Sequence, residues 1–289
     1  MRESDSSPVS IPAWAVLALP AGAFVGIRAM VQVTGALRSL IRGQGLADAT
    51  REALLDPANL AVIQLAGFGV AIVAGLYAFA ADRRPLAALT VVPVPLPIIT
   101  LALVGGAALQ FPLAEVGNLM AEIFPRSLEQ QLTQHRLLTP TGPVSGLAII
   151  AAVVVVAPLT EELLFRGLLL PGLAERYGAS FALGATALTF GLIHVEPGAI
   201  VYASIAGFIV GAVALRTGSV LPAIAMHAAT NAMPVLVPER LLRIRGFNTV
   251  SEEVYHLPLP LLLGSGLVAA ASILALARYH DLMTDEDQT

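Results

Sequence analysis

The 289-residue sequence contains no cysteine and no lysine, and only 12% of its residues are charged. Without cysteine, the chain can form no disulfide, no thiol nucleophile and no thiolate metal site. The absence of lysine accompanies an alanine-rich composition, which we interpret as genomic base-composition bias and as an indication of prokaryotic origin. The net charge of −4 argues against nucleic acid as a partner, since that would require a basic surface.

Apolar residues dominate instead: they make up 56% of the chain, and the mean hydropathy is +0.80. Runs long enough to cross a bilayer, which takes about 20 residues, recur throughout. These runs are too long and too irregular in alternation for the strands of a closed barrel. The sequence therefore predicts an all-α fold, a polytopic transmembrane helical bundle with about eight spans. We place the spans near residues 11–36, 58–81, 97–121, 143–170, 178–194, 198–215, 219–237 and 257–278.

No internal repeat or linker divides the chain, so we expect one integral membrane domain with three parts. Residues 1–142 would form N-terminal transmembrane helices and an interfacial segment, 143–237 a core, and 238–289 a last helix with a disordered acidic tail. Apolar side chains spaced among polar ones predict interfacial helices at 122–139 and 239–247. The first run exceeds signal-peptide length, which predicts an uncleaved span.

Three ionisable side chains interrupt the fourth run, VVVVAPLTEELLFRGLLLPG. One charge at mid-bilayer costs about 2.5–3.5 kcal/mol, so pairing is expected. Glu162 and Arg166 are four residues apart and share a helix face, with the acid in the favourable N-terminal position. Glu161 lies about 100° further round the helix and has no local partner. Glu161 is therefore the residue that needs a functional explanation.

Two later stretches, FGLIH and HAATN, can supply partners for Glu161. His194, His227 and Asn231 could converge on it from neighbouring helices. A poorly solvated carboxylate takes a proton from water more readily, imidazole can orient that water, and N–H groups can stabilise an oxyanion. No serine or threonine has an evident histidine partner, so activated water is the predicted nucleophile. The structural alternative is that each histidine only serves helix packing.

Other polar residues in the spans have simpler interpretations. Phe190, four residues before the first of these histidines, is expected to form the wall of the pocket. Gln110, Glu115 and Asn118 share roughly one face of the third span and are interpreted as contacts between helices.

EELLFR, FGLIH and HAATN match, in order, the motifs EExxxR, FxxxH and HxxxN, and on them the chain resembles the CPBP family of intramembrane proteases. This family includes the type II CAAX prenyl endopeptidases and the bacterial Abi proteins. The resemblance covers residues 143–237 and implies a helical bundle with its catalytic core in that segment. It implies that Glu161 is the base that activates water and that His194 assists it. His227 and Asn231 would form the oxyanion hole, and Glu162 and Arg166 would support the site structurally.

The resemblance also implies an integral, multi-pass protein of the cell membrane that hydrolyses membrane-associated peptides or proteins. We expect no cofactor; the alternative is zinc bound by Glu161, His194 and His227, although Asn231 would be a poor additional ligand. A non-catalytic peptide-binding scaffold or bacteriocin immunity protein remains a second interpretation. A transporter is the third, but it would tend to show inverted repeats, and the sequence has none.

Overall fold

The computed structural model describes residues 9–286, with side chains as far as Tyr279, and in that range every regular element is helical. Residues 1–8 and 287–289 lie outside the described part. The helices, in chain order, are α1 (Ala15–Arg42), α2 (Leu46–Leu55), α3 (Pro57–Phe79), α4 (Pro85–Ala88), α5 (Leu96–Ile123), α6 (Leu128–Leu138), α7 (Pro143–Tyr177), α8 (Ala179–Leu192), α9 (Pro197–Thr217), α10 (Val220–Leu236) and α11 (Leu259–Glu286).

The predicted polytopic helical bundle is confirmed, and each of the eight predicted runs coincides with a helix. Six helices, α1, α3, α5, α7, α9 and α11, are long and apolar enough to cross a membrane. The other two are apolar but shorter, with 14 residues in α8 and 17 in α10. Of the eight predicted spans, six therefore coincide with helices long enough to cross a membrane, and two coincide with shorter apolar helices.

Three predicted segments differ in detail. Residues 239–247 form turns and irregular backbone and not an interfacial helix, and Gly246 within them has a φ of +77°. The helix predicted at 122–139 is confined to α6, which Ser127 and Gln130 begin with a capping box. At the C-terminus α11 continues to Glu286, into the segment predicted to be a disordered tail, and the last residues of that tail lie outside the described part.

Small residues let the helices that carry the site approach one another closely, as is common in membrane bundles. A Cβ at Gly106 of α5 would overlap the backbone carbonyl of Met226 in α10. A Cβ at Gly75 of α3 would lie 2.5 Å from the side chain of Leu168 in α7. Helices α5 and α10, and likewise α3 and α7, are therefore held in a fixed register around the motif residues.

Candidate active site

Helix α7 carries the glutamates and is not a regular α-helix throughout. It contains two π-helical stretches, Ile150–Val156 and Leu163–Leu169, and a proline follows each of them two residues later. Pro158 and Pro171 lack the backbone N–H that an α-helix needs, so the hydrogen-bonding pattern changes near both. π-helical turns are rare and often lie at functional sites. Here the α-helical turn between the two stretches holds Glu161 and Glu162.

Glu162 points into the protein interior and accepts two hydrogen bonds on one oxygen. Arg166 Nη1 lies 3.0 Å from Glu162 Oε1, and His227 Nδ1 lies 2.8 Å from the same atom. The side chains of Glu162 and Arg166 are each only 1% exposed. The pair predicted from the spacing is thus present, and it has a second connection, to the histidine of α10, that the spacing did not predict.

Arg166 is held by groups on two further helices. Its Nη2 donates to the carbonyl of Gly207 in α9 at 2.9 Å, and its guanidinium lies 4.5 Å from the ring centroid of Phe190 in α8. A Cβ at Gly207 would lie 3.1 Å from Arg166 Nη2, so this approach favours glycine. Arg166 therefore joins α7, α8 and α9 behind the site.

Glu161 lies on a different face of the helix and lines a cavity, and its two oxygens have different surroundings. Oε1 accepts a hydrogen bond of 2.7 Å from Gln64 Nε2 of α3. Oε2 lies 4.0 Å from His227 Nε2. His227 thus lies between the two glutamates: its Nδ1 contacts Glu162, and its Nε2 faces Glu161.

His194 lines the same cavity, just beyond the end of α8. Its Nδ1 lies 2.9 Å from the carbonyl oxygen of Phe190, which can only accept, so Nδ1 carries the proton. The neutral ring then has a free acceptor at Nε2. The ring of Phe190 contacts both His194 and His227 edge-on, with centroids 5.2 and 5.7 Å away.

Asn231 is oriented by a carbonyl that a proline leaves free. The N–H of Ala157 bonds to the carbonyl of Ala152, five residues earlier. In the same pattern Val153 would accept from residue 158, but Pro158 has no N–H. The Val153 carbonyl accepts from Asn231 Nδ2 at 3.0 Å instead. One N–H of Asn231 is thereby used, and the second is available to the cavity that Asn231 lines.

The cavity has a volume of about 500 Å³, within the range of pockets that hold small ligands. Its wall also includes residues of α5 and α9 and two polar segments, residues 125–139 and 238–255, which we call the polar rim. Arg126 of the rim lies 2.7 Å from Glu196, at the start of α9. Burial opposes ionisation of Glu196, but hydrogen bonding to Arg126 and to backbone amides outweighs it and lowers the pKa of Glu196.

Helix α5 anchors the second segment of the rim. Asn118 donates to the carbonyl of Gly246 at 2.8 Å, and Glu115 accepts from the backbone N–H of Leu257 at 2.9 Å. His256 bonds to Glu115 at 2.6 Å and to Glu122 at 3.2 Å. These carboxylates, with Glu115 first, raise the pKa of His256. The interpretation of Glu115 and Asn118 as contacts between helices was wrong, because both bind this loop.

The structure brings Glu161, Phe190, His194, His227 and Asn231 to one cavity. Glu162 and Arg166 lie behind it, where Glu162 contacts His227 and Arg166 contacts Phe190.

Gln64 and Thr230 are among the polar residues near the site that were missed from the sequence. Gln64 lies on a different span, and its only signal was an amide within an apolar run. Thr230 donates to the carbonyl of Gly106 at 3.0 Å and so ties α10 to α5. It lies inside the HAATN stretch, where its proximity to the motif residues was the available signal.

Two residues of the zinc alternative, Glu161 and His227, lie further apart than two ligands of one tetrahedral ion. Two ligands about 2 Å from one tetrahedral ion lie about 3.3 Å apart. Glu161 Oε2 and His227 Nε2 are 4.0 Å apart, and the other oxygen of Glu161 is bonded to Gln64. In the described part of the chain, no three His, Asp or Glu side chains come together as a group that could hold a metal ion.

Comparison with known proteins agrees with the motifs. Residues 143–233 match the family model described as type II CAAX prenyl endopeptidase Rce1-like. This match confirms the predicted resemblance, and it covers the segment in which all three motifs lie. No curated protein and no solved structure matches the chain.

Proposed function

We propose that this chain, which carries an Rce1-like CAAX-protease domain over residues 143–233, is an intramembrane endopeptidase that uses water activated by Glu161. The observation that carries the proposal is the position of Glu161. Its Oε2 lies 4.0 Å from His227 Nε2, in a cavity that His194 and Asn231 also line. A carboxylate, two imidazoles and an amide at one cavity can supply the base and the oxyanion donors for peptide hydrolysis by water.

Water would bind between Glu161 and His194. Glu161 Oε2 accepts one proton of the water molecule, while Nε2 of His194, free because Nδ1 donates to the Phe190 carbonyl, accepts a hydrogen bond from the other. The water oxygen then attacks the carbonyl carbon of the scissile peptide bond as its proton passes to Glu161. The product of this step is a tetrahedral intermediate with a negative charge on the former carbonyl oxygen.

His227 and Asn231 would stabilise that oxyanion. Asn231 has one N–H available because the other bonds to the Val153 carbonyl. His227 would donate from Nε2, while its Nδ1 is hydrogen-bonded to Glu162 Oε1 at 2.8 Å. Each such donor contributes about 10²–10³-fold in rate in well-studied oxyanion holes. Glu161 then gives its proton to the leaving amine nitrogen, the C–N bond breaks, and the carboxylate is regenerated.

The substrate would be a membrane-associated peptide or protein that reaches the cavity from the lipid or from its surface. The cavity wall supports this class, because apolar helices form one part of it and the polar rim forms the other. A substrate with one lipid-anchored or membrane-spanning end and one polar end would match both parts.

Mass spectrometry of products from a library of membrane peptides tests the proposal. Wild type should release defined fragments, and Glu161→Ala should release none. Glu175→Ala is a matched control, because Glu175 lies on the same helix α7 and is exposed. Peptides that bind wild type and remain uncut would favour the scaffold interpretation, and equal cleavage by Glu161→Ala would exclude Glu161 as the base.

A further inference from the structure

Gln64 makes a hydrogen bond to Glu161 from outside the family-matched segment. Its Nε2 donates to Glu161 Oε1 at 2.7 Å, across a separation of 97 residues in the chain. Gln64 is not among the residues that line the cavity, so it is not placed to touch a bound substrate. Any effect it has on the reaction must therefore pass through Glu161.

Close packing of α3 on α7 fixes the position of Gln64. Gly75 lies about three turns after Gln64 and hence on the same face of α3. Gly75 meets Leu168 so closely that a Cβ there would lie 2.5 Å from the Leu168 side chain. The same face of α3 thus contacts α7 at Leu168 and, through Gln64, at Glu161, which restricts the freedom of the amide to move away.

We propose that Gln64 is a positioning residue for the catalytic base, an inference that rests on the proposed function. A carboxylate can rotate about its last side-chain bond, and only some orientations direct a lone pair at bound water. The hydrogen bond to Oε1 restricts this rotation and keeps Oε2 toward His227 and the cavity.

An amide suits this task better than a cationic donor. A charge-assisted bond from arginine would stabilise the carboxylate more strongly and so weaken it as a base. The neutral glutamine orients Glu161 with a smaller loss of basicity. The chain separates the two roles: its buried arginine bonds to Glu162, and its amide bonds to Glu161.

Steady-state kinetics on Gln64→Leu test the proposal. Loss of orientation at a reacting group lowers turnover on the order of 10- to 100-fold, and KM should stay within about twofold because Gln64 does not contact substrate. Gln32→Leu is the matched control, since it makes the same change at an exposed position of α1. If Gln64→Leu gives too little folded protein, Gln64→Asn replaces it. This variant keeps the amide but is one methylene shorter, so its kcat should fall less while its KM stays unchanged.

Three results would overturn the proposal. One is a kcat for Gln64→Leu equal to that of Gln32→Leu. Another is a raised KM with unchanged kcat, which would indicate substrate contact instead. The third comes from unfolding midpoints of Gln64→Leu, Glu161→Ala and the double variant in detergent, which need no activity. A hydrogen bond between the two side chains predicts a double variant less destabilised than the sum of the singles, and additivity would show that no such bond exists.

Failure of the proposed function itself would give a different result. Wild type would then show no Glu161-dependent cleavage, whatever the kinetics of the Gln64 variants. With wild-type cleavage intact, the Gln64 results decide the positioning role alone.

Discussion

Glu162→Ala should destabilise the protein strongly, because one oxygen of Glu162 serves two donors. It accepts from Arg166 at 3.0 Å and from His227 at 2.8 Å, with both members of the ion pair 1% exposed. Leaving one partner of a buried ion pair uncompensated costs about 3–5 kcal/mol. Arg166 would keep the Gly207 carbonyl and the rings of Phe165 and Phe190. We therefore expect a loss of about 3–5 kcal/mol of unfolding free energy.

Glu161→Ala should be much milder, because it removes a single hydrogen bond and relieves the burial of a charge. A hydrogen bond to a charged group contributes about 1.5–3 kcal/mol, and the Glu161 side chain is 13% exposed. Unfolding midpoints of the purified variants in one detergent provide the measurement. Glu162→Gln, which preserves volume and one acceptor, should fall between wild type and Glu162→Ala. Equal midpoints for Glu162→Ala and Glu161→Ala would refute the assignment of Glu162 as the residue that neutralises the buried arginine.

Four further outcomes are expected. Prolonged chelation should leave turnover intact, and Asn231→Ala should lower kcat by about 10²–10³-fold. A metal mechanism would be assigned instead if the wild-type protein contained one zinc per chain and Asn231→Ala lost zinc and activity in parallel. Pro158→Ala restores an N–H that competes with Asn231 for the Val153 carbonyl, so kcat should fall while the unfolding midpoint stays equal or rises. A fall of both kcat and the midpoint would contradict this explanation. Gly106→Ala should lower both kcat and the midpoint, because its Cβ would overlap the backbone of α10, whereas Gly69→Ala, with open space around it, should change neither. Hydrogen bonds to two carboxylates raise the pKa of His256 above 6.5. The contribution of His256 to folding stability is therefore complete below pH 6.5 and is lost as the pH rises through the raised pKa. His256→Ala should remove that part of the pH dependence of the unfolding midpoint.

The fold could be predicted because the composition leaves few options. Apolar runs of about 20 residues in lipid must satisfy their backbone internally, and helices do so within one segment. The departures of α7 from α-helical geometry were not predicted, although Pro158 and Pro171 marked both places. Their effect depends on which carbonyl finds another partner, as Val153 does with Asn231, and that requires the tertiary structure.

The site was predictable where its contacts are local. Glu162 and Arg166 are four residues apart on one helix, so their contact follows from helix geometry. The bond from His227 to Glu162 spans 65 residues, and that from Gln64 to Glu161 spans 97. Neither follows from a period or a spacing, because both depend on how separate helices are rotated against one another. A single glutamine in an apolar run is equally compatible with ordinary helix packing.

The shortness of α8 has a consequence for the surrounding lipid. Its 14 residues extend about 21 Å, against a hydrocarbon thickness of about 30 Å. Phe181, Leu188 and Leu192 of this helix are exposed, so α8 presents apolar side chains along its length. Such hydrophobic mismatch is accommodated by thinning of the adjacent bilayer. His194 lies just past the end of α8, so thinning would bring the lipid headgroups on this side of the protein closer to the site. A cleavable bond near the membrane surface would then need to enter the bilayer less deeply to reach Glu161.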